Sequence, residues 1–445
     1  MRDRIAELET LRGQMHASIK EQFPDYDALV RPPTPTVADL RSALKDDEAL
    51  LMLLPVNDAV YAWALDRSGA QSSARIALSK SQLEHMVKDL RTSLDFGEMG
   101  PNITPFRADL SHALYARLIA PVSSALQGKK HLVIAAGGAL GQLPFGVFLT
   151  TPTSQPSAKS SWLIRQAAIT HIPSLAAWLA VEKFARTQSA PQALAAWGDP
   201  RFSVSAQVAA APSIGTRHVN VTRASTLVDL EKEEPRSAIR YADIPALPET
   251  RDELISIAVA LRADREHDLH LGAQATKSSV LESNRSGELR NKKVIAFATH
   301  GLMAGDLPFL TQPALALAAT GDEDKNPLGA LLTLDEVLGL KLNADWVVLS
   351  ACNTAAADGR VDEALSGLAR GFFYAGSRSL LVTHWAVESE SAKLLTTNTL
   401  GNYAASPTAR KADSLRQAML HLMDMPQYQH PAYWAPYALV GDGGR

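Results

Sequence analysis

The chain of 445 residues exceeds the roughly 250–300 at which a single core stops growing, so two or three packed units are expected. With 46% apolar residues, 20% charged residues and a formal net charge of −3, the composition is that of a globular protein and excludes a mainly electrostatic partnership with nucleic acid or anionic membrane. The one cysteine, Cys352, excludes an intramolecular disulfide and a multi-cysteine zinc frame, which fits a reducing cytosol, and no window holds the ~18 uninterrupted apolar residues of a membrane span.

The N-terminus has no apolar core of the secretory kind and reads instead as an amphipathic helix. Ile5, Leu8, Leu11, Met15, Ile19 and Phe23 recur at spacings of three and four before Pro24 ends the pattern. Its apolar stripe needs a surface, either the chain's own body or another molecule. A Pro-rich joint at 31–36 leads into a helix from Val37 to about Leu44, and then into "ALLMLLPV" and "AVYAWALD", which read as paired strands across "NDA". Helices are expected over 81–95 and about 106–126, followed by the buried strand "HLVIAA", strand "AAITHI", a helix over "SLAAWLAVEKFAR" and strand "ALAAWG". This alternation predicts an α/β layer with a largely parallel sheet.

The polar stretch 203–248 is taken as the main joint. Beyond it the pattern predicts helix 249–262, strand "LHLG", helix 276–284, strand 294–299, helix 333–339 and strand 346–351. Helix 362–375, strand 379–385, and helices near 389–402 and 408–423 follow. There is also an internal echo: "LVIAAGGAL" at 132–140 aligns with "IAFATHGLM" at 295–303, and "LPF" follows in both. Either two buried strands end alike, or the first half is a duplicated lobe in which Gly137 stands where the second copy has His300.

Two strands end on reactive side chains, "VIAFAT" on His300 and "WVVLSA" on Cys352. Ligands of open α/β sheets bind beyond the carboxyl ends of the strands, so as sheet neighbours these two would deliver an imidazole and a thiol to one edge. A free thiol near pKa 8.5 is mostly protonated at neutral pH, and a nearby histidine supplies the activation that nucleophilic catalysis needs. Gly301 admits a close backbone approach, and its N–H with that of Cys352 would form an oxyanion hole. A metal is not expected. "DEDKNP" at 322–327 fits the first calcium-loop positions, but Pro327 occupies the glycine position and Thr333 the bidentate glutamate position.

The blocks "FATHG" (297–301), "LSACNTA" (349–355), "GLARGFFYAGSRSLLVTHWAV" (367–387) and "HPAYWAPYALVGD" (430–442) resemble the CHAT-domain family, caspase-like relatives of separase. The weaker blocks "LPFGVF", "WGDPRF", "ALPETRDEL" and "GAQATKSSV" extend the resemblance upstream. It implies a caspase-like three-layer sandwich with a mainly parallel sheet, preceded by a related pseudo-protease lobe and an N-terminal helical and β segment. The organisation expected is 1–36 as helix and joint, 37–245 as pseudo-protease lobe, and 246–445 as active protease domain. The activity implied is that of a cysteine endopeptidase, with His300 as general base and acid, Cys352 as nucleophile and no cofactor.

By the same resemblance Thr383, His384, Trp385, Ala386 and Glu388 line the pocket for the residue before the scissile bond. The acidic pair that suits arginine in separases is incomplete here, with Ala386 before Val387 and Ser389 two places after it. His384 either packs beside Trp385 or touches substrate. A cytoplasmic enzyme is expected that cleaves a dedicated protein substrate in prokaryotic signalling or antiviral defence, with a regulatory partner reached through the N-terminal helix and neither nucleic acid nor membrane bound directly. The alternative is a catalytically silent module that keeps the protease fold for binding.

Overall fold

The structure is a computed structural model that describes residues 2–22, 34–94, 96, 103–184, 189–203, 241–307, 309–323, 325–326, 328–350, 367–385 and 387–444. Its strands in chain order are β1 (Glu48–Pro55), β2 (Val60–Asp66), β3 (Gln71–Ile76), β4 (His131–Ala136), β5 (Ala168–His171), β6 (Gln192–Gly198) and β7 (Leu269–Leu271). They continue with β8 (Lys292–Ala298), β9 (Gly301–Leu302), β10 (Ala314–Ala316), β11 (Leu331–Thr333), β12 (Trp346–Leu349), β13 (Ser379–Thr383) and β14 (Tyr437–Gly441). Among the described residues, eleven strands form one sheet in the order β3-β2-β1-β4-β5-β14-β13-β12-β8-β6-β7.

Local chemistry explains several elements. The central strands β4, β12 and β13 are buried at nearly every position and mainly apolar because both faces are covered, whereas the edge strand β3 is polar and partly exposed. Capping boxes start three of the described helices: Thr36 with Asp39 opens Val37–Ala43, Ser79 with Gln82 opens Lys80–Thr92, and Thr333 with Glu336 opens Leu334–Leu338. The single helix expected over 106–126 is instead an α-helix, Ala108–Leu118, followed by a 3₁₀ turn, Ala120–Ala125. Pro121 removes an amide that a continuous helix would need.

Parallel pairing links β1 with β4 and β4 with β5 in the first lobe, and β7, β6, β8, β12 and β13 in succession in the second. The last strand, β14, lies between β5 and β13 in the sheet. It pairs antiparallel with all of β13 and meets β5 at Val440 and His171. Helices cover both faces, and strand residues alternate between the two cores. On β8, Val294, Ala296 and Ala298 face one apolar cluster while Ile295 and Phe297 face the other. Three layers result, and the mixed α/β class with a mainly parallel sheet is the one expected.

Other details differ from the sequence expectation. Strands β3, β9, β10, β11 and β14 were not among those expected; β9, β10 and β11 have two or three residues each, too few for a pattern. Strand β6 lies within the range 37–245 but pairs with β7 and β8, so the boundary at 245 separates it from the strands it contacts. The N-terminal helix runs over Arg2–Gln22 with Leu8, Leu11 and Met15 51%, 52% and 59% exposed, so among the described residues nothing covers these positions fully.

Candidate active site

Strands β8 and β12 are parallel neighbours, with Leu349 opposite Phe297, and Ser350 N donates to Phe297 O at 3.0 Å. The chain therefore leaves both strands at the same edge of the sheet, at His300 two positions after β8 and toward Cys352 three positions after β12. Cys352 and Ala386 lie outside the described residues, as does 362–366 of the helix expected at 362–375, of which Gly367–Ala375 is described.

His300 is 1% exposed, and its Nε2 lies 2.9 Å from the carbonyl oxygen of Pro245. A carbonyl only accepts, so Nε2 carries the proton of the neutral ring and Nδ1 is the basic nitrogen. The ring is flanked by Phe202 at a centroid distance of 5.5 Å, and Phe202 is flanked in turn by Tyr241, whose hydroxyl donates to Leu317 O. The turn that delivers Phe202 is built on Asp199, a non-glycine residue at φ 50°. Its amide donates to Thr250 Oγ1 at 2.7 Å and its carboxylate accepts from Arg251 Nε at 2.8 Å, and these bonds hold an otherwise costly conformation.

After His300 the chain turns into a second sheet, in which β10 pairs antiparallel with β9 and β11. Ala316 N donates to His300 O at 3.0 Å, and Gly301 is the next residue, opposite Leu315. Alternation along an antiparallel ladder directs the Gly301 N–H away from β10.

The positions assigned to a substrate pocket by resemblance follow β13 and are mostly buried. Thr383, His384 and Trp385 are 0%, 2% and 1% exposed, and Trp385 Nε1 donates to Ala432 O at 3.2 Å. Glu388 caps the helix Ser389–Ala405, its two carboxylate oxygens accepting from Glu390 N at 3.0 Å and Ser391 N at 2.8 Å. The His384 ring is 6.1 Å from that of His171 at the end of β5, and burial together with His171 and Arg91 holds it well below the usual imidazole range. Burial alone takes His171 down to about 4.

Sequence reasoning did not single out Pro245, Ser350 or Tyr437. Ser350, two residues before Cys352, shares a buried 2.6 Å hydrogen bond with the phenol of Tyr437 on β14. "YALVGD" was a legible block, but nothing local pairs it with "LSACN". Another cluster, His267, Asp268 and Glu288, has ligand atoms within 4.8 Å of one another. Two of its three members are already committed to a cation, the Lys292 ammonium, which lies 2.7 Å from Asp268 and 3.0 Å from Glu288.

Several known proteins are similar. A mouse protein, Tetratricopeptide repeat protein 28, is 34% identical over 113 residues, which are 25% of this chain and 4% of that much longer relative. The separase of Saccharomyces cerevisiae, solved with securin, superimposes with a TM-score of 0.50 at 9% identity over 96% of this chain and 31% of that one. The Arg-specific cysteine proteinase gingipain R superimposes with a TM-score of 0.42 at 8% identity, over 82% of this chain and 75% of that one. The fold is thus caspase-like, of the peptidase type, and this chain spans about a third of the separase chain. Residues 108–442 match the CHAT domain model, and the chain belongs to the CHAT-domain family.

Proposed function

We propose that the protein is a cysteine endopeptidase with His300 as general base and acid and Cys352 as nucleophile. The observation that carries this reading is the parallel pairing of β8 and β12, with His300 and the segment leading to Cys352 at the same sheet edge. The Pro245 carbonyl adds a fixed tautomer, with Nδ1 as the nitrogen that accepts the thiol proton. In this reading the Cys352 thiolate adds to the substrate carbonyl, and the amides of Gly301 and Cys352 hold the developing oxyanion. His300 returns the proton to the leaving amine, and a water deprotonated by His300 then cleaves the thioester.

A peptidyl electrophile tests this. It should label Cys352 much faster than iodoacetamide labels an ordinary thiol, the rate should collapse in His300→Ala, and Cys352→Ala should abolish cleavage of the cognate protein while leaving the fold intact. Slow labelling that is equal in wild type and His300→Ala removes the dyad and leaves a silent binding module.

The substrate is read as a dedicated protein with an apolar or small residue before the scissile bond. In support, the Glu388 carboxylate is already compensated by two amides at a helix N-terminus, where an arginine pocket would need it uncommitted. A peptide-library profile dominated by cleavage after arginine reverses this. The exposed Leu8, Leu11 and Met15 support a partner-docking role for the N-terminal helix.

A further inference from the structure

Arg91 lies in the last turn of the helix Lys80–Thr92, in the first lobe. Its Nη2 donates to His384 O at 2.7 Å and its Nη1 to Gln142 O at 3.3 Å. His384 is the residue that follows β13, and positions 383–388 are the ones read above as the substrate pocket. Gln142 closes the 3₁₀ turn Gly138–Gln142 after β4, the stretch that echoes the loop after β8 carrying His300. One guanidinium therefore ties the first lobe's counterpart of the catalytic loop to the second lobe's pocket strand.

The grip on His384 is two-sided. Its amide donates to Pro436 O at 2.8 Å, ahead of β14, while its carbonyl accepts from Arg91. Neither ring nitrogen of His384 makes a hydrogen bond among the described residues, so no side-chain bond there shares the work of orienting this residue. The ring meets the first lobe instead through His171, 6.1 Å away, which packs against Phe145 at 5.7 Å. The planar guanidinium serves the two carbonyls from two separate nitrogens held in a fixed fork, a geometry that the single ammonium nitrogen of lysine does not reproduce.

The geometry points to Arg91 as a positioning residue for the pocket segment 383–388, through which the first lobe sets the affinity for substrate without entering the chemistry. This inference rests on the peptidase reading. The bond concerned is charge-assisted and partly buried, and its loss corresponds to roughly a tenfold change in binding or more.

The test uses the full chain, with Arg91→Ala and Arg91→Lys, and two probes: a peptidyl acyloxymethyl ketone with alanine before the warhead, and iodoacetamide. Arg91→Ala should raise the half-saturating ketone concentration about tenfold, leaving the limiting inactivation rate and the iodoacetamide rate within about twofold of wild type. Arg91→Lys, with one compact donor group, should fall between. An unchanged half-saturating concentration overturns the inference, as does a rise in it matched by an equally large change in the limiting inactivation rate and the iodoacetamide rate, which marks general loosening.

Amide hydrogen exchange supplies a readout independent of catalysis. Exchange across 384–388 should quicken in Arg91→Ala and β8 should be unaffected, and unchanged exchange at 384–388 overturns the positioning role. A wild type without His300-dependent labelling sinks the peptidase reading instead, and exchange then decides the role of Arg91 alone.

Discussion

Replacing Tyr437 with phenylalanine removes one oxygen from the floor of the candidate site. That oxygen lies 2.6 Å from Ser350 Oγ, and both residues are 1% exposed, so no bulk water takes its place. The net worth of such a bond is about 0.5–1.5 kcal/mol, and its dryness and shortness place it near 1 kcal/mol. Ser350 is the first residue past β12 and stands two before Cys352, so the same change removes one of the bonds that hold the chain at the point where it leaves the strand. Urea unfolding should show a lower midpoint with an unchanged slope, and peptidyl-electrophile labelling of Cys352 should slow at least fivefold. Tyr403→Phe is the control. Its hydroxyl lies 3.5 Å from Asp345, which precedes β12 at the opposite end of that strand, so it should alter stability and spare labelling. Equal loss of labelling in both variants, or an unchanged labelling rate in Tyr437→Phe, would refute the reasoning.

Other perturbations test the scaffold. Lys292→Met, at a 0% exposed position, removes the partner of Asp268 and Glu288 and should cost about 3–5 kcal/mol by denaturant titration; adding Asp268→Asn and Glu288→Gln should restore most of it. Gly443→Ala drives a Cβ into Thr170 Oγ1 and places it 2.6 Å from His131 Cε1, so the C-terminal tail must shift, and the thermal midpoint should fall by the equivalent of about 1–3 kcal/mol. Acid should destabilise the fold in two windows. His171 and His430 are both held down to about 4 by burial, and His430 Nδ1 accepts from Ala432 N, which requires a neutral ring. The unfolded chain binds these protons from about pH 6.5 downward and the folded chain does not, so stability declines from there to about pH 4 by up to ~1.4 kcal/mol per unit and group. Glu48 is buried, yet its hydrogen bond to His131 lowers it to about 2, so its contribution, present above pH 4.5, is lost as pH falls toward 2. Urea midpoints at pH 7, 5, 4 and 3, with His430→Gln flattening the first decline, check the signs.

Local pattern determined more of this protein than its length would imply. Apolar runs placed β1, β4, β8, β12 and β13, spacing placed most helices, and the residues at two strand ends named a histidine and a cysteine 52 positions apart in the chain. Those signals are legible because burial on both faces of a sheet, or along one stripe of a helix, writes itself into neighbouring residues. Tertiary structure alone decided the rest: that the Pro245 carbonyl takes His300 Nε2 across 55 positions, that Tyr437 braces Ser350 across 87, and that Arg91 reaches His384 across 293. It alone set β14 between β5 and β13 and paired β6 with β7 and β8. Each is a pairing of polar groups or strand edges whose partners are chosen by how the layers stack, and no periodicity within either segment records which distant segment will satisfy it.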